Sequence, residues 1–81
     1  MPFYVYIIYS MSLDQYYVGY TADLDDRLFR HNNSGSKSTK KANDWLLKHK
    51  EEFKDRSTAM KRELEIKKKK SRKYIEGLIK G

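Results

Sequence analysis

Tyr6, Tyr17, Arg27, His31 and Glu63 have side chains suited to phosphate chemistry, and their spacing puts them on separate elements that could meet at one face of a sheet. Arg27 offers a planar fork of donors that matches phosphate oxygens, and His31 can donate or accept a proton near neutral pH. A phenol such as Tyr6 or Tyr17 can take a proton from water if nearby positive charge lowers its pKa or if its own proton is passed onward. Glu63 brings a carboxylate that, if turned inward, calls for a cation, a cluster of donors or a metal beside it. Such a set could hydrolyse a phosphodiester bond. Each member alone has a commoner role, since tyrosines pack, a lone histidine is more often structural, and Asp23 stands where it could form an i,i+4 ion pair with Arg27.

The elements that must position these groups can be read from periodicity. Phe3 to Tyr9 is apolar or tyrosine on both alternating faces, which suits a central strand covered on both sides. Ser10 to Gln15 interrupts the run and Tyr16 to Tyr20 resumes it, giving an antiparallel hairpin with a longer connection than the tightest kind. Gly19 in the second strand marks a point of close approach by a neighbouring chain or ligand. Thr21 is the expected cap of a first helix with Asp23, Asp25 and Asp26 in its opening turn, Leu24 and Leu28 facing inward, and a stop at Asn32-Asn33-Ser34-Gly35. Arg27 and His31 flank that inward stripe, one turn apart.

Ser36 to Asn43 reads as a basic loop, and Trp45 to Phe53 as a third strand whose Lys48, Lys50, Glu51 and Glu52 suit an exposed edge. Asp55 or Ser57 can open a second helix, and Ser71 a third with Tyr74, Ile75, Leu78 and Ile79 at helical spacing, the run Lys67 to Lys70 joining the two. At 100° per residue Ala59, Met60, Leu64 and Ile66 bound an arc that contains Glu63, so an acid lies on a packing face. A buried carboxylate needs a counter-charge, and two candidates stand equally: a metal ion, or a lysine or arginine in an ion pair.

The chain has 81 residues, enough for one small domain over residues 1–81. Without cysteine it has neither disulfides nor thiolate metal sites, and this fits an intracellular, cytoplasmic location. Its longest apolar run is too short to span a bilayer, so no membrane association is expected. The formal net charge of +7 would draw polyanions to the surface, nucleic acid foremost, although solubility alone could also explain the excess lysine.

These residues together resemble the GIY-YIG nucleases in their small stand-alone, single-domain form. Tyr4-Val5-Tyr6 falls where the family has GIY and Tyr17-Val18-Gly19 where it has YIG, with Arg27, His31 and Glu63 following, so the resemblance runs from Tyr4 to about Ile75. Two positions depart from the family pattern: Tyr4 replaces the GIY glycine, and Tyr20 stands where some members carry a lysine after YIG. The resemblance implies an α+β fold, a small three-stranded mainly antiparallel sheet flanked by three helices, and a metal-dependent endonuclease acting on DNA. It implies that Glu63 binds Mg or Mn, Arg27 stabilises phosphate charge, Tyr17 is the favoured base with Tyr6 close by, and His31 assists. Lys37, Lys40 and Lys41, in a stretch resembling the family's basic loop, are the candidate phosphate contacts. No DNA-reading motif is present, so specificity should follow DNA structure or a targeting protein partner. A noncatalytic nucleic-acid-binding or adaptor domain on the same scaffold is the alternative.

Overall fold

The first strand, β1 (Phe3–Ser10), buries Val5, Tyr6, Ile7 and Ile8 in succession, which is possible only for a strand covered on both faces. In the computed structural model, which describes residues 2–33 and 42–81, β1 lies between two antiparallel neighbours. They are β2 (Gln15–Thr21) and β3 (Trp45–Phe53). Tyr6 pairs with Gly19, and the β1–β3 ladder shifts register between Ile7 and Ile8. The three antiparallel strands and three helices make the α+β architecture that the sequence implies.

Alternation along β1 divides the core into two layers. Val5 and Ile7 pack with Val18 against Ala59 and Ile66 of α2 (Arg56–Lys69) and against Ile75, Leu78 and Ile79 of α3 (Arg72–Lys80). Tyr6 and Ile8 pack with Trp45 against Leu24 and Leu28 of α1 (Leu24–Asn32). β2 is an edge strand, so groups from both layers can meet beyond it. The other edge, β3, carries charge as expected: Glu51 accepts from Arg62 Nε at 2.8 Å and Nη2 at 3.1 Å, and Arg62 also reaches Glu65 and the Tyr74 hydroxyl.

Several local features differ from the sequence reading, each for a physical reason. Asp23, not Thr21, caps α1: its carboxylate accepts from Asp26 N at 3.0 Å, while Thr21 Oγ1 accepts from Asp23 N and so braces the cap. With Asp23 so engaged, the i,i+4 pair with Arg27 does not form, and the ion pair on α1 joins Asp26 to Arg30. Asn33, the C-cap, has φ −125° and is not left-handed. On α2 the buried positions are Ala59, Glu63 and Ile66, whereas Met60 and Leu64 are 40% and 53% exposed, so the packing arc is narrower than the apolar residues suggest. Lys67 to Lys69 continue α2 and only Lys70 leaves it, in the left-handed region at φ 47°. Asp55 and Ser71 are the caps of α2 and α3, accepting from Thr58 N and Tyr74 N.

A side chain in the left-handed region is strained by its own Cβ, and glycine removes that strain. Lys70→Gly is therefore expected to stabilise the fold by about 0.5–1 kcal/mol, read as a higher midpoint in urea denaturation.

Candidate active site at the edge of the sheet

Tyr6 reaches across the edge of the sheet because the residue opposite it has no side chain. A Cβ on Gly19 would lie 2.5 Å from the Tyr6 hydroxyl oxygen and 2.7 Å from its ring, far inside van der Waals contact. The ring thus occupies space that any other residue at position 19 would fill. Its hydroxyl meets Nε2 of His31 at 2.8 Å, and the rings of Tyr6, Tyr17 and His31 form one cluster, with Tyr17 and His31 edge to face at 5.0 Å.

His31 is held by the end of its helix. The side chain of the next residue, Asn32, accepts from Trp45 N at 2.7 Å and donates to Trp45 O at 3.1 Å, clamping the last turn of α1 to the start of β3. His31 is 1% exposed, and burial, reinforced by the Arg27 charge, lowers its pKa below the ordinary histidine value. Burial likewise pushes the Tyr6 phenol well above its usual range, with the phenol of Tyr17 adding to the rise and the Arg27 charge opposing it. At neutral pH the site therefore contains a neutral imidazole joined to a protonated phenol.

A cleft of about 500 Å³ opens beside this cluster, with Tyr6, Tyr17, Gly19, Arg27 and Glu63 among its lining residues. Arg27 makes no ion pair among the described residues, so its guanidinium is uncommitted. Glu63 is 9% exposed and meets a cation as well: Lys67 Nζ lies 3.6 Å from its Oε1. That contact is loose, and Lys67 is itself half-exposed, so the pair contributes little and leaves the carboxylate on the wall of the cleft. Of the sequence candidates, Tyr6, Tyr17, Arg27, His31 and Glu63 come together. Lys37, Lys40 and Lys41 lie outside the described residues.

Two further cations stand at the site: Arg56, which the sequence reading did not single out, and Lys67, from the run Lys67 to Lys70. Arg56 lines the cleft and directs Nε and Nη2 to the Tyr20 hydroxyl, each at 3.4 Å. Lys67 stands 5.9 Å from the centre of the Tyr17 ring in addition to its contact with Glu63. A helical signal existed for both, because residues spaced by seven and then four, Arg56, Glu63 and Lys67, fall on one stripe at 100° per residue. That stripe runs beside the Ala59 and Ile66 one and carries the charges to the cleft.

The lowered pKa of His31 makes stability depend on pH with a definite sign. Between the folded-state pKa and the ordinary value near 6.5, the unfolded chain binds more protons, so this contribution is complete above 6.5 and is lost as pH falls through the folded-state value. Urea midpoints measured from pH 7.5 down to 5 should fall in the native chain, with a shallower fall in His31→Gln.

Comparison with known proteins identifies the family. The family model for the GIY-YIG catalytic domain matches residues 2–75, a span that includes every cleft residue named above. A UPF0213 protein of Halobacterium salinarum is 42% identical over 64 residues, which is 78% of this chain and 82% of that protein. A UPF0213 protein of Staphylococcus saprophyticus is 40% identical over 65 residues, 79% of this chain and 78% of that one. The solution NMR structure of the UPF0213 protein BH0048 from Bacillus halodurans superposes with a TM-score of 0.60 at 33% identity, covering 99% of this chain and 84% of that one. By sequence and by fold the chain belongs to the GIY-YIG catalytic domain family, membership of which implies a nuclease-type function.

Proposed function

We propose that the chain is a divalent-metal-dependent endonuclease that hydrolyses DNA phosphodiester bonds, guided by DNA structure more than by base sequence. The observation that carries this reading is the shared cleft: two phenols, an uncommitted guanidinium and a largely buried carboxylate from four different elements line one space. Arg27 binds the phosphate and stabilises the charge that builds on it during attack. Glu63 is the residue that would hold the metal. Among the described residues no three His, Cys, Asp or Glu side chains stand together as a cage, and a single carboxylate on an open cleft fits Mg or Mn, which keep several waters and accept phosphate oxygens. When bound, the ion supplies charge neutralisation at the phosphate and at the departing 3′ oxygen.

The proton of the attacking water leaves through a phenol. A phenol that is protonated at neutral pH can accept that proton only by giving up its own, and Tyr6 has an acceptor in hydrogen-bond contact, the Nε2 of neutral His31 when the ring proton is on Nδ1. Tyr6 and His31 thus form a relay: the water proton passes to the Tyr6 oxygen as the Tyr6 proton passes to His31. This gives Tyr6 the role that the family resemblance assigns to Tyr17, and Tyr17 then orients the water. Arg56, against Tyr20, and Lys67, beside Glu63, supply positive charge to walls where the family's lysine is missing.

Glu63→Gln is expected to lower turnover on branched or linear DNA by at least about 10²-fold in Mn, with affinity measured in chelator unchanged. A noncatalytic binding domain would show no metal-dependent cleavage in either form.

Arg56→Gln should lower kcat/KM by about tenfold, as expected for loss of one charged contact to phosphate. Adding Tyr20→Lys to that variant should recover most of the loss. No recovery would mean that Arg56 does not stand in for the missing lysine.

A further inference from the structure

A second cleft, of about 460 Å³, adjoins the first through Tyr17. Its floor is apolar and partly aromatic, formed by Tyr16, Val18, Ile66 and Ile75, and its rim is basic, with Lys67, Lys70 and Arg72. The volume is that of a site for a small flat ligand, about 300–1,000 Å³. The charges on the rim are not all available. Arg72 binds Asp14 at 2.5 Å and Glu76 at 3.3 Å and lies 5.2 Å from the centre of the Tyr16 ring, so it braces that ring more than it attracts an anion. Asp14 is occupied in turn by Arg72 and by the Tyr9 hydroxyl. Lys70 makes no ion pair among the described residues, and Lys67 makes only its loose contact with Glu63.

Backbone strain marks the same cleft. Asp14 and Lys70, at φ 52° and 47°, are the non-glycine residues with positive φ among those described, and both line it. Lysine at a left-handed helix end is costly where glycine would be relaxed, and it sets a cation at the cleft mouth.

An apolar floor under cations, continuous with a site built for phosphate, suits a ligand with one flat apolar face and one anionic side. We propose that this cleft receives the base of a nucleotide neighbouring the scissile phosphate, displaced from the duplex stack, with Lys70 and Lys67 at its phosphate. The inference rests on the nuclease reading and extends it to substrate class: DNA with an unpaired nucleotide beside the cut. Base stacking on apolar and aromatic side chains is tolerant of sequence, so the cleft selects for an unstacked base of any identity.

The test uses the full chain and three labelled duplexes: one continuous, one with a single unpaired thymidine, and one with an abasic residue in its place. Fluorescence anisotropy in EDTA reads binding without cleavage. The unpaired base should bind about tenfold more tightly than the abasic duplex, and Lys70→Gly, which relaxes the backbone, should weaken binding and reduce the salt dependence by about one charge. Equal affinity for base and abasic site overturns the proposal, as does a Lys70→Gly protein with unchanged affinity and salt slope. Because the readout is binding, absence of cleavage would sink the nuclease reading and leave this test intact. Normal cleavage without base preference would sink the pocket alone.

Discussion

The site depends on a missing methyl group. Tyr6 lies over Gly19 so closely that a single added carbon would collide with its ring and hydroxyl, and the position of the hydroxyl decides what else can assemble. It lets the phenol of a central strand reach past the edge strand. There it meets His31 from the layer above the sheet, in a cleft that Glu63 lines from the layer below. The register Tyr6 to Gly19 is thus both a structural and a chemical constraint, because a slip by one residue would turn the phenol to the other face.

Helix α2 provides the complementary half. It presents an apolar pair, Ala59 and Ile66, to the core and, on the adjacent stripe, Arg56, Glu63 and Lys67 to the cleft side. One rigid rod therefore carries an acid with a cation on each side of it, and packing of two small contacts fixes all three relative to the sheet. Glu63, at 9% exposure, keeps part of its solvation through the cleft that it lines, and the loose contact with Lys67 adds little to that. A lysine is near Glu63, and the acid also lines the open cleft.

Strands and helices were legible because their signals are local. β1 shows an unbroken apolar run, β3 shows charged edge residues, and Asp55 and Ser71 stand at the helix starts. The residues that gather at the cleft were legible where their types were unusual for a packing face, as with Glu63 and His31. What escaped were residues whose role comes from contacts distant in sequence. Arg56 looks like one surface arginine among many until Tyr20, far along the chain, is set against it. Met60 and Leu64 look like core by composition, but the sheet is too narrow to cover that side of α2, and Tyr20 reaches only the Met60 sulfur. Thr21 and Asp23 are both good caps by type, and only the hydrogen-bond directions distinguish them.

The Asn32 amide, bonded twice to the backbone of Trp45, links the helix end that carries His31 to the first residue of β3. Asp44, one residue earlier, is separately tied to Ser10 and Ser12 at the hairpin. The start of β3 is therefore a junction held from two directions, by the end of α1 and by the β1–β2 turn. A change at either anchor would be felt at the imidazole through backbone position and not through ring contacts alone.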